Sequence, residues 1–403
     1  MLSVAEAQRI VLAHACPLPA EETPLSPAAL GLVLAEDVAS DIDMPPFNKA
    51  MMDGFAVRAA DVADGRAVLA VVEDIVAGRT PQTAVGVGQC ARIMTGAPLP
   101  EGTDAVVMVE RTRMLDGDRV EISDPPLRVG QNVLPRGREM QRGHTALAAG
   151  AMLRPQELGL LATVGRTTAR LIPAPQVAIL STGDEVVEAA EKPGPGQIRN
   201  SNGPMLTAQV RRAGAAPRYL GIAPDRLERL RSLVAEGLTS PVLVLSGGVS
   251  AGKRDLVPEV LQELGVQSHF HKVAMKPGKP VFFGTRAGCL VFGLPGNPVS
   301  ALVCFELFVR PVLRRLRGHP EPGPCLVQAV LAQDFSYRTD RETYHPARLE
   351  YGADSWAIRP VPWFGSPDLR ALTLANALVV LPVGDHKHAA GTRLPVLRVE
   401  DDI

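Results

Sequence analysis

The hydrophobic pattern of residues 242–264 predicts a strand, a glycine-rich loop and a helix in direct succession. Four consecutive apolar residues, Val242 to Leu245, are typical of a strand buried on both faces. Three glycines then fall within six positions, and after Asp255 apolar residues recur with helical spacing as far as Gly265. We expect Asp255 to cap this helix. Backbone N–H groups and the helix dipole converge at such a junction, so the stretch predicts an anion site, the alternative being a tight turn without a ligand.

Strand and helix patterns alternate throughout residues 173–317. Such alternation predicts βαβ units on a parallel, doubly wound sheet. The predicted strands are Val177–Leu180, Pro217–Ile222, Val242–Leu245, Val281–Phe283 and Leu290–Phe292, and the predicted helices are Met205–Arg212, Leu227–Glu236, Leu256–Leu264 and one from Pro298 to about Arg315.

Residues 44–138 have a different pattern, in which short β-rich runs alternate with Gly and Pro turns. This spacing predicts a small all-β domain, inserted between helical pieces. Helices are expected after Ser3, whose spacing to Glu6 fits a capping box, after Ser26, and around 155–164. The fold class is therefore multidomain α/β plus β. The predicted domains are a helical connecting domain (1–43 and 139–172), the inserted β domain (44–138), the α/β domain (173–317) and a C-terminal β domain (318–403).

Composition narrows the class of function. The 403 residues carry a net charge of −1 and only 4% aromatic side chains, which argues against a nucleic-acid-binding protein. Five scattered cysteines without a C-x-x-C pair argue against a disulfide framework or a zinc site and favour the reducing cytoplasm. The sequence contains no run of 18 uncharged apolar residues, so we expect no membrane helix.

Residues 246–254 come close to a nucleotide-binding P-loop. Gly247 is followed after four residues by Gly252 and Lys253, as in that motif. The next position should be the Ser or Thr that holds Mg²⁺, but it is Arg254. A P-loop-like nucleotide-binding protein is therefore kept as an alternative.

Adjacent carboxylates follow the first strand of the predicted sheet, in the loop Ser181–Glu185. Ligands of such sheets bind at the carboxyl ends of the strands. Glu185 and Asp255, each in a loop of this kind, could together hold a hard cation with few protein ligands, as Mg²⁺ prefers. An exposed turn with solvated acids is the alternative.

Two further loops suit an anion. Lys276 and Lys279 lie in a turn stiffened by prolines, which fixes a positive charge, although a surface turn is the alternative. In the sequence Gly-Leu-Pro-Gly-Asn-Pro at 293–298, Asn297 is predicted to be an N-cap and Pro298 the first helical residue. A ligand that carries phosphates and needs a divalent cation explains all four loops together.

The chain resembles the molybdopterin molybdenumtransferase family (MoeA type, also the C-terminal part of gephyrin) over essentially its whole length. The resemblance implies an elongated four-domain homodimer with a MogA-like α/β domain and a C-terminal β-barrel-like domain. It rests on the stretches PPFNKAMMDGFAV (45–57), IMTGAPLPEGTDAVV (93–107), STGDEVV (181–187), SGGVSAGKRD (246–255), KPGKP (276–280) and GLPGNPVSA (293–301).

The resemblance also implies an activity. The family inserts molybdate into adenylated molybdopterin and releases AMP in the presence of Mg²⁺, and a molybdopterin adenylyltransferase is the expected upstream partner. Residues carried over as catalytic are Asp53, Thr95, Glu185, Asp255, Lys276 and Lys279, with Glu185 and Asp255 also at the metal. Residues carried over as substrate-binding are Ser181, Thr182, Gly183, Asp225, Gly247, Gly248, Ser250, Gly252, Pro295, Gly296, Asn297, Arg348 and Ser366.

The C-terminal region departs from the family pattern. Pro346 stands where an Arg often follows an aromatic residue, so one anion contact is absent or has moved to His345 or Arg348. Two functional alternatives are the related adenylyltransferase, which would not need the inserted β domain, and a non-catalytic scaffold on the same fold.

Overall fold

The chain folds as two compact units. The computed structural model describes residues 1–248, 256–352 and 355–399. The first unit consists of residues 1–22, 31–35 and the described residues from Arg170 onward, and the second of residues 23–30 and 36–169. None of the described helices is long and apolar enough to cross a membrane. The four-domain boundaries drawn from the sequence stay a prediction.

The N-terminal helix α1 (Val4–Ala13) begins with the predicted capping box. The Ser3 backbone N–H donates to Glu6 Oε2 at 2.8 Å, and the Glu6 N–H donates to Ser3 Oγ at 3.2 Å. A second helix was expected after Ser26, but the chain makes only a 3₁₀ turn there, because Gly31 turns it away with a φ of +78°. The strands near this turn are β1 (Glu21–Pro24) and β2 (Val33–Leu34).

The second unit is built mainly on a six-stranded sheet, so the predicted β domain is present. The sheet order is β8-β5-β7-β6-β10-β9, and two-stranded pairs β11-β4 and β12-β3 accompany it. Apolar residues pack on both faces of the sheet. The elements are β3 (Val38–Ala39), β4 (Lys49–Ala50), β5 (Gly54–Val57), β6 (Arg66–Ile75), β7 (Gln89–Ile93), β8 (Ala105–Met108), β9 (Thr112–Leu115), β10 (Arg119–Ser123), β11 (Val133–Leu134), β12 (Thr145–Leu147) and α2 (Pro155–Thr163).

The α/β part of the first unit follows the predicted alternation of strands and helices. Its elements are β13 (Thr168–Ile172), β14 (Gln176–Thr182), β15 (Val186–Val187), β16 (Ile198–Arg199), α3 (Asn202–Arg212), β17 (Ala216–Ala223), α4 (Leu227–Gly237), β18 (Val242–Ser246), α5 (Val257–Glu263), β19 (Gln267–Lys272), β20 (Met275–Lys276), β21 (Pro280–Arg286), β22 (Cys289–Leu294), α6 (Pro298–Cys304), a π-helical turn (Phe305–Val309) and α7 (Arg310–Leu316).

Strand β18 is buried on both faces, as its apolar run predicts. Val242 and Val244 pack into the core shared with α1, α3, α6 and α7, whereas Leu243 and Leu245 pack against α4 and α5. The sheet order is β17-β14-β18-β22-β21-β19. The first four strands are parallel. Strand β21 pairs antiparallel with β22, and the edge strand β19 pairs antiparallel with β21, so the sheet is mixed and not wholly parallel as expected.

The strand order reverses between β14 and β18. From β14 the chain continues outward to β17 on one side, and it then returns to β18 on the other side. A reversal of this kind leaves a crevice beyond the carboxyl ends of the two central strands, because their loops depart in opposite directions. The loops that begin at Ser181 and Gly247 flank this crevice.

The C-terminal part of the first unit is a closed barrel of five strands. The order β25-β26-β23-β29-β27 closes by a further pairing of β27 with β25, and β20 adds to β25 from outside. Apolar side chains fill the interior. The elements are β23 (Leu326–Leu331), β24 (Phe335–Thr339), β25 (Glu342–Tyr351), β26 (Trp356–Pro360), α8 (Leu369–Thr373), β27 (Ala377–Leu381), β28 (Gly384–His388) and β29 (Arg393–Arg398).

A buried carboxylate joins α3 to the helical segment after β22. Glu306 lies in the π-helical turn and is only 1% exposed. Its carboxylate accepts hydrogen bonds from Gln209 Nε2 at 2.7 Å, from Arg212 and from Arg310 Nη1 at 2.9 Å. A buried charge is tolerated when donors surround it in this way.

We predict that Glu306→Ala lowers the free energy of unfolding by about 3–5 kcal/mol, because it removes the acceptor of a buried charged cluster. Urea unfolding followed by circular dichroism measures the change. The matched control is Glu236→Ala, which removes a half-exposed partner of Arg218 and should change stability by less than about 1 kcal/mol. Equal, small losses in the two variants would contradict the role of Glu306.

Candidate functional site

A cavity of about 370 Å³ opens at the carboxyl edge of the sheet, where the strand order reverses. It brings together most of the residues that the sequence predicted for the α/β domain. Those that line it are Ser181, Thr182, Glu185, Gly247, Gly248, Pro295, Gly296 and Asn297. Val186, Ile198, Asn200, Asn202, Ser246 and Pro280 complete the lining.

The loop after β18 needs glycine at its first two positions. Gly247 and Gly248 have φ angles of +91° and +61°. A Cβ atom at Gly247 would lie 2.6 Å from the Thr182 carbonyl oxygen, and one at Gly248 would lie 2.8 Å from Thr182 Oγ1. Glycine at both positions therefore lets this backbone approach Thr182 of the neighbouring loop closely.

The rest of this loop lies outside the described residues, and with it the predicted site residues Ser250, Gly252 and Asp255. Helix α5 begins at Val257, and the expectation that Asp255 caps it falls outside the described residues. Pro258 is in the first turn of the helix, and Gly265 follows its end with a φ of +77°.

The loop after β14 folds its second carboxylate back over a glycine. Gly183 has a φ of +131°, and a Cβ atom there would lie 2.6 Å from Glu185 Oε2. The first carboxylate, that of Asp184, bonds within the protein: its Oδ1 accepts a hydrogen bond from the backbone N–H of Asp225 at 2.9 Å. Asp225, which was carried over as a substrate-binding residue, directly precedes Arg226, the N-cap of helix α4.

The described residues contain no group of three or more His, Cys, Asp or Glu side chains arranged to hold a metal ion. Glu185 contributes one exposed carboxylate to the cavity wall. Its predicted partner Asp255 lies outside the described residues. The shared cation therefore stays a prediction.

The lysine turn is held between the sheet and helix α6. The Val273 N–H donates to the Lys279 carbonyl at 3.1 Å, and Lys276 pairs with Thr343 of the barrel. A Cβ atom at Gly278 would lie 2.5 Å from Cys304 Sγ, and the φ of Gly278 is +105°. Both lysine side chains are exposed, and the turn ends at Pro280, which lines the cavity.

Asn297 connects the α/β sheet to the barrel. It is the N-cap of α6, as predicted, yet its side chain does not cap the helix. Instead Asn297 Nδ2 donates to Ser366 Oγ at 2.9 Å, and the Val299 N–H donates to the Ser366 carbonyl at 3.1 Å. The structure therefore brings Ser366, which was carried over as a substrate-binding residue, and the Gly365–Ser366 turn to the start of α6.

Arg348 lies on the outer face of the barrel. Its side chain is about half exposed and lies 3.5 Å from Glu350, and it is not among the described residues that line the cavity. His345 contacts the Val361 carbonyl at 3.0 Å, and burial lowers its pKa. Neither side chain takes the position of an anion contact in this cavity.

Asp53 and Thr95 form a compact hydrogen-bonded pair in the second unit. Both the hydroxyl and the backbone N–H of Thr95 donate to Asp53 Oδ1, each at 2.6 Å. These two bonds, the hydroxyl first, lower the pKa of Asp53 below its usual value. Asp53 is exposed and therefore presents an ionised carboxylate to solvent at neutral pH.

Two asparagines in the cavity wall were missed from the sequence. Asn200 bonds to Ser181, to the Tyr219 hydroxyl at 2.7 Å and to the Gly203 N–H at 2.9 Å. Asn202 Nδ2 donates to Ser246 Oγ at 2.7 Å and to the Gly296 carbonyl at 2.8 Å. The signal was the sequence Asn-Ser-Asn directly before a helical pattern, since asparagine concentrates at such turns.

Comparison with known proteins accounts for almost the whole chain. Residues 2–165 match the model of the MoeA N-terminal region (domain I and II), residues 178–315 that of a probable molybdopterin binding domain, and residues 328–399 that of the MoeA C-terminal region (domain IV). The molybdopterin molybdenumtransferase of Bacillus subtilis is 35% identical over 92% of this chain and 87% of its own length.

This chain belongs to the molybdopterin molybdenumtransferase family. The relative from Staphylococcus epidermidis is 33% identical over 93% of this chain and 90% of its own length. A molybdopterin biosynthesis MoeA protein from Pyrococcus horikosii has a similar structure, with a TM-score of 0.82, 31% identity and full coverage of both chains. The resemblance and the fold class predicted from the sequence are therefore confirmed, and family membership makes the chain a transferase of molybdenum cofactor biosynthesis.

We predict that Thr95→Val raises the pKa of Asp53 toward its ordinary value, because it removes the hydroxyl that most strongly favours the carboxylate. Thr95→Ser keeps the hydroxyl and is the matched control. The measurement is the pH titration of the Asp53 carboxyl carbon by NMR, assigned with Asp53→Asn. The lowered pKa of Asp53 stabilises the folded protein above the ordinary pKa of an aspartate, and this stabilisation is lost as the pH falls through the lowered value. Thr95→Val should therefore lack this contribution at neutral pH, and the difference that it makes between the two variants should vanish in strong acid. Equal titration midpoints would contradict the assignment.

Proposed function

We propose that this chain inserts molybdate into adenylated molybdopterin and releases AMP, with Mg²⁺ bound at the pyrophosphate. The observation that carries the proposal is the cavity at the carboxyl edge of the sheet, where glycine backbone meets Glu185 and the start of α6. Family membership supports molybdopterin as the substrate class.

The backbone around the cavity suits a phosphorylated ligand. Gly247, Gly248 and Gly296 allow a ligand to approach the main chain closely, and α6 begins at the same edge of the sheet. Ser181 and Thr182 add hydroxyls from the neighbouring strand. We therefore assign the pyrophosphate of the substrate to this wall.

Mg²⁺ fits the donors that the described residues offer, since this ion commonly uses one or two carboxylates together with substrate phosphates. Glu185 supplies one carboxylate, and we propose Asp255 as the second. The bound ion would offset phosphate charge as AMP leaves. Glu185 itself would orient the ion, and the glycine loop would position the phosphates.

The two lysines of the 276–280 turn are proposed to hold molybdate. A lysine ammonium is a compact charge that suits a small tetrahedral dianion without requiring two-point geometry. Gly278 packs closely against Cys304 of α6, and this contact fixes the position of the turn. Ser366, hydrogen-bonded to Asn297, is proposed to contact the substrate beside it.

We further propose that the protein is a homodimer in the cytoplasm and receives its substrate from a molybdopterin adenylyltransferase. Asp53 and Thr95 would then face the cavity of the other protomer. The ionised state of Asp53 at neutral pH is consistent with such a role. Free cysteines, three of them buried, favour a reducing compartment.

The experiment that tests this function mixes the purified protein with adenylated molybdopterin, Mg²⁺ and molybdate. We expect AMP release together with incorporation of molybdenum into the pterin. A parallel reaction with molybdopterin and ATP tests the adenylyltransferase alternative. AMP release without molybdenum incorporation, or adenylation in the parallel reaction alone, would contradict the proposal.

We predict that Lys279→Ala raises the molybdate concentration needed for half-maximal rate by roughly ten- to a hundredfold, because it removes a charge-assisted contact worth about 1.5–3 kcal/mol. Affinity for adenylated molybdopterin should stay nearly unchanged. Lys272→Ala, which removes an exposed lysine of β19, is the matched control. If the affinity for the pterin falls instead, Lys279 serves the phosphates and the assignment is wrong.

We predict that mixing Asp53→Ala with Asp255→Ala protein restores part of the activity. Some mixed dimers would then hold one intact site, whereas each variant alone holds none. Molybdenum incorporation after subunit exchange measures the effect, and a mixture of Asp255→Ala with Asp255→Ala protein carrying a different tag is the control. No recovery under demonstrated exchange would rule out a site shared between protomers.

A further inference from the structure

One side chain of the cavity wall holds an unused acceptor. Asn202 is 7% exposed, and its Oδ1 atom has no hydrogen-bond partner among the described residues. A buried acceptor without a partner is unfavourable, and such atoms are rare in folded proteins. The atom belongs to a residue that lines the cavity of the α/β domain.

The orientation of this amide is fixed by its other end. An amide nitrogen carries two hydrogens, and both are used, one by Ser246 Oγ at 2.7 Å and one by the Gly296 carbonyl at 2.8 Å. Exchange of the amide oxygen and nitrogen would direct the oxygen at the Gly296 carbonyl, which is also an acceptor. Oδ1 is therefore held as an acceptor only.

We infer that Asn202 Oδ1 accepts a hydrogen bond from an N–H or O–H group of the bound substrate and selects for a ligand that has this donor. The inference rests on the proposed function for the identity of the substrate. The donor is either a hydroxyl or amine of the adenosine part or an N–H of the pterin. In either case a ligand without the donor leaves a buried acceptor unpaired, which is what makes such contacts selective.

The neighbouring Asn200 offers a matched comparison. It lines the same cavity, but its Oδ1 accepts the Gly203 N–H at 2.9 Å and its Nδ2 donates to Tyr219 at 2.7 Å. Its side chain is thus engaged within the protein. Replacement of Asn200 should disturb the wall without removing a contact to the ligand.

The test measures dissociation constants of ligand pairs by calorimetry. The pairs are AMP against 2′-deoxy-AMP, 3′-deoxy-AMP and purine riboside 5′-monophosphate, and 6-hydroxymethylpterin against its 2-deamino analogue. In the wild type we expect one pair to differ by about tenfold, because the analogue lacks one hydrogen bond. The pair that differs identifies the donor as ribose, adenine or pterin.

The variants decide whether residue 202 causes the difference. Asn202→Ala should reduce the ratio within the selective pair to about one. Asn200→Ala should retain the ratio even if it weakens both ligands equally. A purely structural Asn202 would change both members of a pair alike and leave the ratio unchanged in every variant.

Two results would overturn the inference. One is a selectivity ratio that does not depend on residue 202 in any pair, as expected if the acceptor is used within the protein. The other is that neither nucleotide nor pterin binds to the wild type. The binding measurement does not require turnover. If the protein selects its ligand through Asn202 but inserts no molybdate, the proposed function is wrong and this inference still holds.

Discussion

The reversal of strand order between β14 and β18 is the constraint on which the site depends. It makes the loops after these strands diverge, so a crevice forms beyond the carboxyl ends of the strands. The third loop, after β22, reaches the same edge because β22 lies beside β18 and parallel to it. The loops after β18 and β14 need glycine, as Gly247 and Gly183 show by their positive φ angles.

The same edge explains how the barrel takes part. Strand β20 leaves the α/β domain to pair with β25, and Asn297 and Val299 at the start of α6 bond to Ser366 of the barrel. Two separate hydrogen-bonded junctions therefore hold the lysine turn and the Gly365–Ser366 turn relative to the sheet. The wall that we assign to phosphates and the turn that we assign to molybdate belong to one compact unit.

Local patterns predicted the elements of the α/β domain within one to three residues, because a strand buried on both faces leaves a continuous apolar run and a buried helix face leaves a 3.6-residue period. They did not predict the edge strand β19, which pairs with β21 and whose residues are mostly polar and exposed. The helix predicted after Ser26 is absent because Gly31 ends the segment after a single 3₁₀ turn.

Site residues that belong to local sequence motifs could be predicted from the sequence. Site residues whose role depends on tertiary contacts could not. Glycines, lysines and acids stood out in the loops, whereas the bond from Asn297 to Ser366 joins residues 69 positions apart. Asp184 and Glu185 are adjacent acidic residues that the sequence does not distinguish. In the structure Asp184 accepts the Asp225 N–H, whereas Glu185 lines the cavity. Asn202 was missed because its unused acceptor becomes visible only when the partners of its amide nitrogen are known.

The central claim is that the ligand binds at the carboxyl edge of the sheet. A second cavity, of about 530 Å³, lies at the opposite edge and is lined by residues that include His14, Gln267 and Arg286. The direct measurement is amide hydrogen exchange by mass spectrometry, with and without AMP and Mg²⁺. The account predicts slower exchange in peptides covering 181–187, 244–248 and 293–299, with no change in 265–272 and 284–290. Protection confined to the latter two peptides would contradict it.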